Sequence, residues 1–176
     1  MDTGADGDPN PTMVLADLVP EGATQNLKGR FVPISGQAVY KPISQARLSG
    51  LERGKPDFIV RFTEDKNGFY INGKKYTPES GPMTTVHAGG LHHLTVVNDS
   101  HEVHPFHIHQ VHFLAYSSNG IPSRPAEWLD MVNVSPGGSV DLILDFTDPI
   151  IRGMSVFHCH LLKHEDKGMM AKILFR

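Results

Sequence analysis

Short segments in which apolar and polar residues alternate, separated by glycine, proline and asparagine about every ten residues, fill the chain from residue 56 onwards. Because the side chains of a β-strand point alternately to the two faces of a sheet, this alternation predicts strands with one buried face. Residues 139–146 show it most clearly, with Val140, Leu142, Leu144 and Phe146 on one face. Only residues 162–168 are predicted to form a helical turn. A series of such short strands predicts an all-β fold, a Greek-key β-sandwich or barrel.

The other predicted strands show the same alternation or a short run of β-branched and aromatic residues. They cover residues 13–18, 58–62, 69–71, 84–87, 94–97, 105–116, 131–134, 154–161 and 169–175. Asn72 and Gly73 follow the segment 69–71, and an Asn-Gly pair is the strongest short sequence signal for a hairpin turn. We therefore expect a tight turn at this position.

Residues 1–55 differ in composition from the rest of the chain. Glycine, proline, asparagine and serine are frequent there, and the prolines interrupt every potential helix. We expect an extended N-terminal arm or linker over residues 1–55 and one globular domain over residues 56–176, because a chain of 176 residues has room for a single domain of ordinary size. The N-terminal residues lack the basic and apolar regions of a signal peptide, so none is predicted in this sequence.

Charge and hydropathy argue against two classes of partner. The sixteen lysines and arginines are scattered and the formal net charge is −3, so no nucleic-acid partner is expected. No run approaches the ~18–20 consecutive apolar residues of a membrane span, so no membrane partner is expected either. The single cysteine, Cys159, cannot form an internal disulfide, and its thiol is therefore available for other chemistry.

The eleven histidines are confined to one part of the sequence. All of them lie between His87 and His164, and two short motifs contain most of the chemically suggestive ones. The first motif is His-Pro-Phe-His-Ile-His at residues 104–109. The second is His-Cys-His at residues 158–160, followed by His164 and Met169. Two His-x-His pairs, one of them enclosing the only cysteine, indicate metal binding.

Side-chain alternation divides these motifs between the two faces of their strands. His107 and His109 share one face, and His158 and His160 likewise share a face, so Cys159 points the other way. If Cys159 faces the interior of the sandwich, these four histidines point outward, towards solvent or a partner domain. Four clustered imidazoles could bind one half of a multinuclear copper cluster.

The interior site would combine Cys159 with three other side chains, those of His104, His164 and Met169. Two imidazoles, one thiolate and one weak thioether form the ligand set of a blue-copper, or type 1, site. The soft sulfur ligands favour copper, and a fixed cage suits both of its oxidation states. This set therefore predicts electron transfer.

The two motifs resemble the C-terminal copper motifs of the multicopper oxidases, the laccase and bilirubin oxidase family. The similarity extends to the segments Phe-Tyr-Ile-Asn-Gly-Lys at 69–74, Val-Asn-Asp-Ser at 97–100, Trp-Leu-Asp-Met-Val at 128–132 and His-Glu-Asp at 164–166. It covers about residues 55–176. The matching part of the family is its third cupredoxin domain, so the resemblance implies a cupredoxin sandwich.

The resemblance also implies a role for each ligand. Type 1 copper would be bound by His104, Cys159, His164 and Met169, type 2 copper by His107, and type 3 copper by His109, His158 and His160. A small-molecule reductant would give electrons to type 1 copper, and the cluster would reduce dioxygen (O2) to water. Glu165 lies where related enzymes have a proton-relaying carboxylate, and Asp130 resembles a residue that supports the ligands. An ordinary solvated charge is the alternative for each.

In the family, eight histidines bind the trinuclear cluster, four of them from the first domain. The five remaining histidines of this chain do not form the pairs of that domain. We therefore expect that a homo-oligomer, or missing N-terminal cupredoxin domains, would complete the cluster. Residues 2–18 resemble the end of the family's second domain, which favours an excised domain over a natural single-domain protein. The family implies a periplasmic or extracellular location.

Three other functions remain open at this point. One is a single-domain blue-copper electron carrier with unused outer histidines, and another is an oligomer similar to nitrite reductase, with type 2 copper between subunits. A zinc or cupin-like enzyme using His107 and His109 is the third. Cupin motifs place a glutamate three or four residues beyond the second histidine. The segment after His109, which includes Phe113 and Leu114, contains no glutamate there, so the third is disfavoured.

Overall fold

The computed structural model of this chain describes residue 50 and residues 54–176, with the side chains of residues 124, 125, 127 and 149 outside that description. The strand predicted over residues 13–18 and nearly all of the predicted N-terminal arm lie outside the described residues. The division into an arm over residues 1–55 and a domain over residues 56–176 therefore stays a prediction.

The described part of the chain consists almost entirely of short β-strands. They are β1 (Phe58–Asp65), β2 (Gly68–Ile71), β3 (Pro82–Val86), β4 (Leu91–Asn98), β5 (His104–Ile108), β6 (Phe113–Ser118), β7 (Ile121–Leu129), β8 (Met131–Val134), β9 (Ser139–Asp145), β10 (Gly153–Cys159) and β11 (Met170–Phe175). A 3₁₀ turn at Pro149–Ile151 and a short helix α1 at Leu162–Asp166 complete the fold. The helical turn predicted within residues 162–168 is thus confirmed. Neither of these helices has the length to cross a bilayer, and the described residues include no other candidate.

The strands form two sheets. One sheet has six strands in the order β2-β1-β4-β9-β6-β7, and the other has five in the order β3-β11-β10-β5-β8. The pairs β1–β4 and β3–β11 are parallel, and the other paired strands are antiparallel. Strands far apart in sequence are neighbours in both sheets, which is the connectivity expected of a Greek-key sandwich. The predicted all-β sandwich is confirmed.

A core of large apolar side chains lies between the sheets. Its fully buried aromatic members are Phe62, Phe106, Phe113, Phe146, Phe157 and Phe175. Strand β9 contributes Val140, Leu142 and Leu144 to this core, as its alternation predicts. Its opposite face is covered too, because Ile143 packs with Leu114 in a second, smaller cluster.

Two details differ from the sequence prediction. The segment 105–116, predicted as one strand, is divided into β5 and β6, and Gln110 between them has a positive φ of 72°. Strand β7 is not among the strands predicted from the sequence, because its two prolines and weak alternation are not typical of a strand. Proline is tolerated at the edge of a sheet, where one side of the strand has no hydrogen-bonded neighbour, and β7 is an edge strand.

The turn predicted at Asn72 and Gly73 is present. Both residues have positive φ, 50° and 71°, and the flanking Ile71 and Lys74 exchange two backbone hydrogen bonds of 2.9 Å. The tight two-residue turn that Asn-Gly favours requires a positive φ at both of its central residues. The turn ends β2, and the chain then passes beside the loop that follows α1.

Gly168, which follows α1, is in close contact with that returning chain. Its φ is +103°, and a Cβ atom added to it would lie 2.4 Å from Cγ of Lys75. Its carbonyl also accepts a 3.0 Å hydrogen bond from the Tyr76 amide. Only glycine fits here, because the position combines left-handed backbone with no space for a side chain.

We predict that Gly168→Ala destabilises the chain more than Gly89→Ala. Gly89 is a matched control, because its φ is also +103° but nothing lies within 4 Å of an added Cβ atom. Backbone strain costs both variants about 1–3 kcal/mol of unfolding free energy, and Gly168→Ala adds a steric overlap. Urea unfolding followed by circular dichroism measures the difference. Equal losses would contradict the close packing at Gly168.

Candidate metal centre

Two adjacent strands, β5 and β10, carry both histidine motifs. They are antiparallel, with His158 opposite His107 and Cys159 opposite Phe106. Because neighbouring residues of a strand point to opposite faces, this register places Cys159 and the histidines beside it on different sides of the same sheet. The structure therefore contains two separate clusters, called here the inner and the outer site.

The inner site contains three converging ligand atoms. Sγ of Cys159 lies 3.5 Å from Nδ1 of His104 and 3.7 Å from Nδ1 of His164, and the two nitrogen atoms are 3.1 Å apart. An ion in trigonal coordination, with bonds of about 2.0 Å to nitrogen and about 2.3 Å to sulfur, would separate its ligands by about 3.5 Å for N···N and about 3.7 Å for N···S. The three side chains thus fit one metal ion.

Three different elements supply these ligands. His104 begins β5, Cys159 ends β10, and His164 lies in α1. Backbone hydrogen bonds connect the last two to Met169, whose amide donates to the His164 carbonyl at 2.9 Å and whose carbonyl accepts from the Cys159 amide at 3.1 Å. Met169 is fully buried at 0% exposure. The main chain therefore holds residue 169 next to the other candidate ligands in the chain.

Burial dominates the electrostatics of the inner site. His104, Cys159 and His164 are all 0% exposed. Burial raises the pKa of the Cys159 thiol to about 12, and the carboxylates of Glu102 and Glu165 act in the same direction. Burial, together with the neighbouring His164, lowers the pKa of His104 to about 3. At neutral pH, His104 is therefore a neutral imidazole, the form that binds metal.

Three further residues lie beside the inner site, and the sequence motifs do not predict their position there. Glu102 Oε1 lies 3.4 Å from Nε2 of His164, and Glu64 Oε2 lies 3.5 Å from Nε2 of His104. The ring of Phe69 stacks on His164, with 3.9 Å between ring centres and 18° between planes. Glu102 lies only two residues before His104 in the sequence, whereas no local pattern connects residues 64 and 69 to these ligands.

The outer site lies on the other face of β5 and β10. One nitrogen from each of His107, His109 and His158 lies within 4.8 Å of the other two. Nε2 of His109 and Nε2 of His158 are 3.1 Å apart. The ring of His160 joins the group, with its centre 5.1 Å from that of His107 and 5.7 Å from that of His158. The four predicted outer histidines are therefore adjacent.

Hydrogen bonds fix the orientation of two outer rings. Nδ1 of His107 lies 2.6 Å from the main-chain carbonyl of Asp130, and Nδ1 of His158 lies 3.0 Å from the carbonyl of Cys159. A carbonyl only accepts, so each Nδ1 carries the proton and each Nε2 has a free lone pair for a metal. The two rings are held in the tautomer that a ligand needs.

Exposure divides the outer histidines in a way that alternation does not predict. His109 and His160 are exposed, as expected of outward-facing side chains, whereas His158 is only 3% exposed. His158 is covered because His107 and His109 both pack against it and Glu165 approaches from α1. Burial lowers the pKa of His158 and of His109, so both favour the neutral, metal-binding form.

The two acidic candidates occupy different positions. Oε2 of Glu165 lies 3.3 Å from Nδ1 of His158, and the side chain is 30% exposed, so it lies between the outer site and solvent. Asp130 is an exposed residue that contacts His107 through its main-chain carbonyl. Any amino acid could supply that carbonyl, so this contact does not require an aspartate.

Comparisons with known proteins show which family this chain resembles. Residues 51–176 match a family model described as multicopper oxidase. A multicopper oxidase of Staphylococcus aureus is 36% identical over 126 residues, which cover 68% of this chain and 27% of that protein. A laccase of Bacillus subtilis is 27% identical, over 76% of this chain and 29% of that protein.

A solved structure of a multicopper oxidase is also similar to this chain. The multicopper oxidase of Campylobacter jejuni, described as a metallo-oxidase, has a TM-score of 0.64 and 26% identity, covering 78% of this chain and 31% of that one. The two-sheet sandwich is thus the cupredoxin fold of such oxidases. The chain spans about a third or less of the length of these relatives.

We predict that metal binding at the inner site displaces a proton and strengthens as pH rises. The Cys159 thiol, with its pKa raised to about 12, is protonated at neutral pH and must lose that proton to bind as thiolate. Affinity should increase by about tenfold per pH unit. Calorimetric titration with Zn²⁺ in buffers of different ionisation enthalpy measures the release, with Cys159→Ser as the control that removes it. If the Zn²⁺ affinity did not rise by about tenfold per pH unit between about pH 6 and about pH 8, the prediction would be contradicted.

Proposed function

The chain belongs to the multicopper oxidase family, and from that premise we propose that it is a copper-binding cupredoxin domain that holds type 1 copper and one half of a trinuclear, dioxygen-reducing cluster. The observation that carries the proposal is the placement of the inner and outer sites on opposite faces of β10, one residue apart. Another domain or subunit would complete the cluster.

The inner site supports the assignment of type 1 copper to His104, Cys159, His164 and Met169. Two imidazoles and one thiolate, with a buried methionine adjacent in the chain, are the donor set of a blue-copper centre. All four side chains are 0% exposed. The surrounding core excludes water and restricts movement of the ligands, so the same positions can serve both oxidation states.

Strand β10 provides the connection between the two sites. Cys159 is covalently bonded to His158 on one side and to His160 on the other, so two short main-chain paths lead from the thiolate to outer imidazoles. Bound copper supplies one-electron transfer at the inner site and dioxygen reduction at the outer site. The role of the strand is to keep these two sets of ligands at a constant separation.

At the outer site, His107 is proposed as the type 2 ligand and His109, His158 and His160 as type 3 ligands. Four imidazoles on one face are half of the eight that the family's cluster requires. Glu165 is proposed to hold and pass protons, because its carboxylate lies 3.3 Å from His158 and reaches solvent. Asp130 is proposed to act through its main chain, by orienting His107.

The wider context follows from the family and remains part of the proposal. A small-molecule reductant would supply electrons and dioxygen would receive them. The missing ligands would come from N-terminal cupredoxin domains or from further copies of this chain in a homo-oligomer. A periplasmic or extracellular location is proposed on the same ground.

A second candidate function is a blue-copper electron carrier. One observation favours it: all ligands proposed for the inner site come from this chain, whereas the outer site has only half of its ligands. A carrier would need the inner site alone. It would exchange electrons with partners without consuming oxygen.

We predict that the two sites can be removed independently. Copper-loaded Cys159→Ser should lose the thiolate-to-copper absorption band in the visible region and the type 1 EPR signal, while it retains any copper that the wild-type chain binds at the outer site. His109→Ala should show the reverse, because His109 lies on the opposite face of the sheet from Cys159. Metal analysis combined with EPR measures both. A visible band that survives in Cys159→Ser would contradict the type 1 assignment.

We also predict that filling the outer site depends on a partner. If copies of this chain share the cluster, copper titration during gel filtration should yield an oligomer with more than one copper per chain and with oxygen consumption. His160→Ala, which removes an exposed outer imidazole, should reduce both. A monomer that binds one copper per chain and consumes no oxygen would exclude a cluster shared between copies and would support the electron carrier.

A further inference from the structure

Two carboxylates face the inner site from behind its histidines. Oε1 of Glu102 is 3.4 Å from Nε2 of His164, and Oε2 of Glu64 is 3.5 Å from Nε2 of His104. The side chains of Glu102 and Glu64 are only 7% and 15% exposed. Each of the two histidines therefore has Sγ of Cys159 near its Nδ1 and a carboxylate near its Nε2.

The tautomer of each ring follows from this geometry. Both Nδ1 atoms converge with the sulfur of Cys159, so Nδ1 is the atom that would bind a metal. A neutral imidazole with a free lone pair on Nδ1 carries its proton on Nε2. In both rings a carboxylate oxygen lies beside that Nε2, at 3.4 Å for His164 and 3.5 Å for His104. These contacts are longer than ordinary hydrogen bonds, and a carboxylate in this place is the kind of partner that orients histidine ligands in metal sites.

The fold holds Glu102 in place through a buried polar network. The side-chain amide of Asn98 donates to the Glu102 carbonyl at 2.8 Å and to the Val134 carbonyl at 2.9 Å. The hydroxyl of Ser100 donates to Asn98 Oδ1 at 2.6 Å. Asn98 and Ser100 are 0% and 6% exposed. These side-chain hydrogen bonds lie beside the start of β5 and hold the backbone that carries Glu102.

The β1–β2 hairpin holds the second carboxylate. Glu64 lies opposite Phe69 in the register of these strands, and its other oxygen, Oε1, accepts a 3.0 Å hydrogen bond from the His101 amide. One hairpin thus presents Glu64 to His104 and the ring of Phe69 to His164. The two carboxylates reach the site from different elements, and each meets a different histidine.

We propose that Glu64 and Glu102 are positioning residues that hold the two inner imidazoles as ligands and lower the reduction potential of the metal bound there. Two negative charges next to the ligands stabilise the more positive, oxidised ion more than the reduced one, because water is excluded and screening is weak. The inference rests on the proposed function for its copper chemistry. Its claim about ligand orientation applies to any divalent ion at the inner site.

The test compares Glu102→Gln and Glu64→Gln in the full chain with Glu79→Gln, which removes the same charge from an exposed loop residue. Glutamine preserves the size of the side chain and can still accept from Nε2, but it carries no charge. Both test variants should raise the midpoint potential of the copper-loaded inner site. Redox titration of its visible absorption band measures this potential. Both variants should also weaken Co²⁺ binding by about tenfold or more. The absorption band of the Co²⁺–thiolate bond measures this binding.

Several controls make the outcomes distinct. Circular dichroism checks folding, and if Glu102→Gln does not fold, the less buried Glu64→Gln carries the test alone. Glu102→Leu, which removes the acceptor as well, should weaken Co²⁺ binding more than Glu102→Gln does. A wild-type chain without a type 1 band would overturn the proposed function, and Co²⁺ affinity would still decide whether the carboxylates orient the ligands. A potential and a Co²⁺ affinity that match those of Glu79→Gln would overturn the inference.

Discussion

The alternation of side chains along β10 is the constraint on which the rest of the structure depends. A strand places consecutive residues on opposite faces, so one peptide bond is enough to separate a buried thiol from an outward-facing imidazole. Phe157 and Cys159 face the core at 1% and 0% exposure, and the histidines beside Cys159 lie on the other face. The sheet therefore separates the two sites, and the main chain of β10 connects them covalently.

The register between β5 and β10 is protected by the same core. Sliding one strand by a single residue would turn Phe106 and Ile108 outward and bring His107 inward. Burying a large apolar side chain contributes about 1.5–3 kcal/mol, so such a slip would lose several such contributions at once. The apolar residues between the candidate ligands thus specify the positions of the candidate metal-binding side chains.

Local patterns explain which parts of the site could be predicted from the sequence. The division of Cys159 from His158 and His160 follows from a two-residue period, and the Asn72-Gly73 turn follows from backbone conformation. The approach of Glu64 and Phe69 depends on how the β1–β2 hairpin lies against the other sheet, which no local pattern encodes. The burial of His158 likewise depends on contacts from β5 and α1.

The two candidate sites differ in how far their side chains are buried. The inner ligands are fully enclosed, with two carboxylates and a stacked aromatic ring around them, so this chain alone excludes water from them. At the outer site His158 is enclosed, whereas His109 and His160 remain exposed. An imidazole that must share metal ions with ligands from another domain has to remain accessible to that domain. The exposed outer histidines therefore mark the side from which the missing ligands would approach.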